Sequence, residues 1–356
     1  MEAMCVPTVL AIRLRQLGDV LSTLGSLRAL KAAAPDHRIV FVVDRIYHPL
    51  LRRASFIDVL FPEPPTEGGF SAVPAFERYI EEIRSLRASC ALDFHSNTRS
   101  AILSYLSGAP TRVGFDVRLR KALYTDVEPR TVSSGTSTSP RSSHESALAL
   151  VRRGGFVRAV GTVDGTIPTT PQDREAGMSA LLAAGVPRRA IEAGAVVGFN
   201  AGHPYPAKEW PAENFALLAR LLRDGGMTVV VLWGPGEETV ARSIADSSRG
   251  AAITAPRLAL DELPGVLRNL RLVVTIDSGL KHLAVATGVP TVTLFGPTDP
   301  REWHMGGGLD RFLYPAEPCS PCRLKECPYD VPCMTKIAPQ AVRDVVFEIA
   351  KEDGGR

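Results

Sequence analysis

Long apolar runs are missing from this chain of 356 residues. Runs such as 39–43 and 272–276 fall far short of the roughly 20 residues that a bilayer-spanning helix needs. The early apolar stretch 6–12 runs straight into Arg13 and Arg15 with no cleavage-type site behind it, so no signal peptide is expected. Aromatic residues are scarce, at 6%, and no basic run occurs, which disfavours nucleic acid as a partner. Charge of one sign is lacking too: 41 Lys+Arg face 38 Asp+Glu. Residues 1–150 hold 18 Lys+Arg against 15 Asp+Glu, and the remainder holds 23 of each, so the surplus of three sits in the first part. That suits an anionic partner there, although a mixed solvated surface is the commoner meaning. Cysteines number six, and four are crowded into 319–333 rather than spread as a disulfide frame, as expected of a cytoplasmic protein. No repeat of fixed period is visible, and the dinucleotide fingerprint G-x-G-x-x-G is absent.

What is present is an ordinary globular composition, 45% hydrophobic and 22% charged, on a chain long enough for two domains. Residues 8–14 read as a buried strand, 20–34 as a helix ending before Pro35, and 38–43 as a second buried strand. Strand, helix and strand in about 36 residues make a βαβ unit and hence a parallel sheet. The alternation continues with strand 90–94, helix 100–107 and strand 112–115, then helix 144–153. The polar stretches 131–143 and 160–172 read as loop and connector, and 174–184 as a helix. A cleaner series follows, with strands at 195–200, 228–233, 251–254, 272–276 and 291–295. Helices at 212–223, 237–246, 260–270 and 279–287 separate them, and a last helix spans 339–351. The pattern predicts two doubly wound α/β domains joined near residue 170, with ligands beyond the carboxyl ends of the strands.

The polar residues at those strand ends carry the chemistry. In RQLGDV, Gly18 permits a tight turn and Asp19 opens a helix. Asp19 reads as an N-cap, the commoner role, or as a general base facing the site. Lys208 lies in a Gly- and Pro-rich loop between strand and helix and is able to neutralise a phosphate, or is simply exposed. In the same loop Trp210 reads as a core anchor and His203 as a surface histidine. Glu237, in WGPGEE, is placed to hold ribose hydroxyls or to sit as a first-turn acid. The strongest signal is TIDSGLKHLA, where a buried strand turns into a helix through Asp277, Ser278 and Gly279. Either polar residue suffices as a cap, and glycine weakens a first turn, so the excess points to an anion site at the helix N-terminus. His282 follows on the same early turn, as core or as support to that site. Phe295–Pro300 (FGPTDP) is turn chemistry at a further strand end. Last, Cys319-x2-Cys322-x4-Cys327-x5-Cys333, crossed by prolines, forms a knuckle after the last strand, expected away from the strand-end loops, that reads equally as a structural zinc site or as reduced structural thiols.

Taken in order, these blocks resemble the lipopolysaccharide heptosyltransferases of glycosyltransferase family nine. The resemblance rests on IRLRQLGDVLSTLGSLRALK, DFHSNTRSA, TRVGFD, AKEWP, WGPGEE and TIDSGLKHLAVATGVPTVTLFGPTDP, with CSPCRLKECPYDVPCM like a tail seen in part of the family. It implies a GT-B fold, two Rossmann-like domains facing across a cleft. Residues 1–170 would bind the acceptor and 171–338 the nucleotide-sugar donor, with 339–356 packing back toward the first domain. It further implies inverting transfer of heptose from ADP-heptose to the inner core of lipopolysaccharide, with no metal needed for catalysis. Position by position, it places the base on Asp19, the phosphate-binding lysine on Lys208 and the ribose-binding acid on Glu237. Asp277, Ser278 and Gly279, with His282 following, fall at the donor site. Some members carry hydroxyls shortly before the lysine, where this chain has His203 and Pro204. Arg15, Arg118, Arg120 and Lys121 are the candidates for an anionic, lipid A-linked acceptor. The expected setting is the cytoplasm, at the cytoplasmic face of the inner membrane where the acceptor lies. Rival readings are a same-fold transferase with another nucleotide-sugar, a non-catalytic sugar-nucleotide binding protein, and a redox protein centred on the knuckle.

Overall fold

The computed structural model describes residues 6–65, 73–129, 141–157, 164–202, 204–304 and 310–352. The chain divides into two compact units, Met1–Ile167 and Pro168–Arg356. The first holds strands β1 (Thr8–Ile12), β2 (Arg38–Val43), β3 (Val59–Pro62), β4 (Ala88–Asp93), β5 (Thr111–Phe115) and β6 (Asp126–Glu128). They form one sheet in the order β3-β2-β1-β4-β5-β6, every neighbouring pair parallel. The second holds β7 (Val196–Asn200), β8 (Thr228–Leu232), β9 (Ala252–Thr254), β10 (Leu272–Ile276), β11 (Thr291–Leu294) and β12 (Asp310–Leu313). Its order, β9-β8-β7-β10-β11-β12, is the same winding repeated, again all parallel.

The central strands are apolar throughout because helices cover both faces: β1, β7 and β10 are buried at all five positions. The strands that pattern reading missed are β3, β6 and β12, all at sheet edges. Their sequences, VLFP, DVE and DRFL, are mixed because an edge strand is only partly covered. The helix Val73–Ser85 was missed as well, since only Tyr79, Ile80 and Ile83 on its inner face are buried. Leu17–Ala33 starts three residues earlier than expected and buries Ser22, Thr23 and Ser26 along with its leucines. The helix expected over 260–270 is shorter, Leu263–Leu267. Of the two polar stretches, 131–140 and 160–163 lie outside the described residues. From 170 the connector is already helical, because Thr170 and Asp173 form a capping box for the helix Pro171–Ala183.

The C-terminal helix Pro339–Glu352, expected to pack toward the first domain, falls within the second unit. It packs on the helix Ala212–Asp224 and on β11, and adds Val342, Val346 and Ile349 to the second core. The cause is its apolar spacing, which gives it one stripe to bury, and that stripe meets the sheet-covering helix beside it.

In the second unit, Pro171–Ala183 and Leu263–Leu267 cross at two glycines. A Cβ on Gly265 would lie 2.0 Å from the Asp173 carbonyl oxygen, and one on Gly177 would lie 2.2 Å from the Gly265 backbone. Asn269 ties the crossing with bonds from Nδ2 to the carbonyls of Arg174 (2.7 Å) and Gly265 (2.8 Å). Gly265→Ala therefore forces two backbones apart, and melting should fall by about 3–10 °C, on an overpacking cost of about 1–3 kcal/mol. An unchanged melting temperature would show that the crossing yields freely.

Candidate active site

In both sheets the strand order reverses between the central pair, β1/β4 and β7/β10, and Asp19, Lys208, Asp277 and Ser278 lie past those strand ends, with Glu237 past the neighbouring β8. Past β1 the tight turn falls on Gln16, at φ 70°, and not on Gly18, which lies inside the helix. Asp19 is therefore not the cap it first resembles. It sits in the first helical turn, and its Oδ2 is 2.6 Å from an Arg13 nitrogen, with both side chains less than a fifth exposed. Arg13 also donates to the Phe94 carbonyl, so the loops after β1 and β4 are tied together at Asp19. A second tie is the Leu14 amide donating to His95 Nδ1 at 3.2 Å.

The β4 loop is itself held from below. Asp93, fully buried, accepts from the amides of His95 (3.0 Å) and Ser96 (2.8 Å) and from the Tyr124 hydroxyl (2.7 Å). Burial pushes its carboxyl up, against the opposing pull of those bonds. Of the cationic candidates, Arg15 meets Glu63 at 3.2 Å, and Arg99 meets the same carboxylate at 3.2 Å. Arg118, Arg120 and Lys121 stand on a separate turn, Arg118–Leu123 after β5, where Lys121 pairs with Asp116 at 3.4 Å. Arg13 and Arg99 were not picked out from the sequence.

In the second unit the residues after β7, β8, β10 and β11 converge. Neither Asp277 nor Ser278 caps the helix Gly279–Ala286 through its side chain. The Ser278 hydroxyl donates to Asn200 Oδ1 at 2.7 Å, joining the ends of β10 and β7. The Asp277 carboxylate faces Lys208, whose Nζ lies 2.8 Å from Oδ2 and 3.1 Å from the Asp277 carbonyl oxygen. The Thr298 hydroxyl donates to the same Oδ2 at 2.8 Å. On the other side Lys281 Nζ lies 3.7 Å from Oδ1. Burial pushes the Asp277 carboxyl up, but Lys281, Lys208 and His282 outweigh it and hold the group well below the usual carboxylate range. His282 is buried, its ring edge-on to Trp303 at 5.9 Å. Glu237 stands at the cap position of the helix Glu238–Ser247 and accepts from the Gly234 amide at 2.8 Å. A Cβ on Gly202 would lie 2.5 Å from the Glu237 side chain, so glycine lets the β7 loop reach it. Trp210 is the core anchor expected, buried with Nε1 donating to the Ile337 carbonyl at 3.0 Å. His203 lies outside the described residues. Thr298 and Asn200 had a sequence signal, a polar side chain closing a buried strand or its turn.

The cysteine segment was expected away from these loops, yet it lies against them. The Lys325 carbonyl accepts from the Ala207 amide (3.0 Å), and the Arg323 amide donates to the Pro297 carbonyl (2.8 Å). Cys333 is buried in the core, Cys322 and Cys327 are half-buried, and Cys319 is exposed. Burial, then the other three thiols, push Cys333 up to about 11. Among the described residues no three His, Cys, Asp or Glu side chains converge as metal ligands.

The family model described as glycosyltransferase family 9 (heptosyltransferase) matches residues 167–331. Over that stretch, just under half of its length, the chain resembles glycosyltransferase family 9. A lipopolysaccharide heptosyltransferase 1 from Pseudomonas aeruginosa is 34% identical over 160 residues, 40% of this chain and 45% of that relative's length. Lipopolysaccharide heptosyltransferase 1 of Escherichia coli K12 is 26% identical over 298 residues, 82% of this chain and 88% of that one. Among solved structures, E. coli ADP-heptose LPS heptosyltransferase II superposes with a TM-score of 0.77 at 20% identity, covering 97% and 99% of the two chains. The two Rossmann-like units are those of the GT-B class.

The Asp277 cluster sets a pH dependence. A carboxyl lowered on folding contributes stability that is whole above its unfolded value, about 3.9, and is lost as pH falls toward the folded value. Asp277→Asn should unfold more easily at pH 7 by about 3–5 kcal/mol, because it leaves Lys281 buried beside a neutral group. Its urea midpoint should also fall less than wild type's between pH 5 and pH 3. Parallel acid curves for the two proteins would remove Asp277 from the stability account.

Proposed function

We propose that this protein is an inverting heptosyltransferase that moves heptose from ADP-heptose to an inner-core sugar of lipopolysaccharide. The observation that carries the reading is the pairing of a carboxylate and a lysine at two like switch points in a chain that resembles family 9 over 167–331. One unit presents a carboxylate oriented by an arginine, and the other presents a lysine on a glycine-rich strand-end cluster. Relatives named lipopolysaccharide heptosyltransferase support the donor and acceptor classes.

Inverting transfer is one in-line displacement at the anomeric carbon. A base must accept the proton of the acceptor hydroxyl, and positive potential must stabilise the departing diphosphate. Asp19 is the base. Arg13 holds Oδ2 at 2.6 Å and so fixes the carboxylate's orientation, and the helix N-terminus favours its charge. Lys208 and the amides opening the helix Gly279–Ala286 receive the diphosphate. Glu237, beside the glycines of the β8 loop, takes the ribose. Neither step draws on a metal, and the cysteine segment serves to hold the Lys208 turn and the loop after β11.

Arg15 and Arg99 around Glu63 offer cationic donors for an anionic acceptor. The turn Arg118–Leu123 adds Arg118, Arg120 and Lys121 around Leu119, which is 91% exposed, a pairing of charge and apolar surface suited to a phosphorylated lipid sugar at the inner membrane's cytoplasmic face. Among the described residues no helix is long and apolar enough to cross a membrane.

The decisive variant is Asp19→Asn, which keeps size and hydrogen bonding but not basicity. Turnover should fall about 10²–10⁴-fold while calorimetric ADP affinity stays within twofold. Retained turnover would return Asp19 to a structural role and leave a non-catalytic binding protein as the better reading. Lys208→Ala should act oppositely, weakening ADP binding about tenfold or more through loss of a charge-assisted contact. UDP and GDP serve as the competing nucleotides, and tighter binding of either would replace ADP-heptose as the donor.

A further inference from the structure

Lys281 has no role in the reaction just described, yet its position is expensive. It is 0% exposed, and it lies in the first turn of the helix Gly279–Ala286, where the helix dipole disfavours a cation. Everything it meets accepts or attracts a proton-bearing ammonium. Nζ donates to the Trp303 carbonyl, lies 3.7 Å from Asp277 Oδ1 and stands 4.9 Å over the Phe295 ring. Asp310, from β12, faces it from further off and is itself engaged by Thr291 and by His304 Nδ1 at 3.0 Å. Burial lowers the ammonium's pKa, while Asp277 and Asp310 act to keep it charged.

The consequence appears when charges are counted at the carboxylate that Lys281 shares. Lys208 alone with Asp277 makes a neutral pair, and a neutral pair has little to offer a diphosphate. With Lys281 beneath, the same carboxylate is already compensated, and the trio carries one net positive charge. Its outward member is Lys208, whose side chain is 16% exposed against 0% for Lys281. We infer that Lys281 is a positioning residue for the nucleotide diphosphate: it takes up the charge of Asp277 from the buried side, so that Lys208 remains available to the phosphates. The inference rests on the reading of Lys208 as the diphosphate-binding residue.

The test uses the full-length protein, with ADP and inorganic pyrophosphate titrated calorimetrically at several salt concentrations. Neither probe carries a sugar, so any contact from Asp277 to a sugar does not enter. Lys281→Met keeps the aliphatic stem and leaves Asp277 with Lys208 and Thr298, so it should fold. It should bind both probes roughly tenfold more weakly, as expected for losing one charge several ångströms away at a part-buried site, and with a shallower salt dependence. Lys281→Met/Asp277→Asn restores one net positive charge by removing the carboxylate as well, and both affinities should recover to within about threefold of wild type. A merely structural lysine would not be rescued by a second substitution beside it. Unchanged affinity in Lys281→Met, or no recovery in the double variant, overturns the inference while the diphosphate site stands. Failure of the wild-type protein to bind either probe overturns the reading of Lys208 and the inference with it.

Discussion

A parallel sheet that is wound outward in both directions from its centre cannot be covered evenly at the centre. The connections leaving β1 and β4, like those leaving β7 and β10, go to opposite faces, and the carboxyl ends of those two strands are left open between them. The buried polar side chains at those strand ends follow from that constraint. Among the described buried polar side chains, Asp93 and Ser96 gather at one such opening, and Asn200, Thr275, Asp277, Lys281 and His282 at the other. Elsewhere the central strands bury only apolar side chains or threonine, because nothing there would satisfy a charge.

Within the second opening one carboxylate organises four segments. Asp277 draws Lys208 from the loop after β7, Lys281 from its own helix and Thr298 from the loop after β11, while its neighbour Ser278 reaches Asn200 at the end of β7. A buried carboxylate is costly unless its lone pairs are filled, and here both oxygens have partners. The cluster depends most on its carboxylate: withdrawing Asp277 leaves two lysines without their shared counter-charge. Desolvation strengthens every interaction that remains within the cluster.

The winding, the central strands and most helices were legible because burial on both faces writes a continuous apolar run, and one-sided burial writes a 3.6-residue stripe. The edge strands β3, β6 and β12 were not, since partial cover leaves no such pattern. At the strand ends, spacing admitted local roles that the contacts exclude. Asp19 and the Asp277–Ser278 pair each admitted a capping role from spacing, and only three-dimensional contact with Arg13, Lys208 and Asn200 excludes it. The tight turn was placed on Gly18 because glycine tolerates it, whereas Gln16 adopts the left-handed conformation. Lys281 was invisible as a buried charge, since its partners are 4, 14 and 22 residues away (Asp277, Phe295, Trp303) and none is implied by local pattern.

Distance along the chain misled most at the cysteine segment. It follows the last strand legible in the sequence, 291–295, and so reads as remote from the strand-end loops. A segment without regular structure must still place its backbone hydrogen bonds, and prolines at 318, 321, 328 and 332 remove four of its own donors. Its remaining groups turn inward: Ser320 donates to the Gly296 carbonyl, the Arg323 amide to Pro297, and the Lys325 carbonyl receives the Ala207 amide beside Lys208. A Cβ on Gly296 would lie 2.5 Å from Met334 and 3.1 Å from Cys333, so glycine is what allows this approach. An irregular, proline-crossed stretch thereby fixes both the lysine turn and the threonine loop that meet at Asp277. The buried end of the segment, Cys333 and Met334, anchors it in the same core as β7 and β10, so the turn that carries Lys208 is tied to that core through the segment's hydrogen bonds.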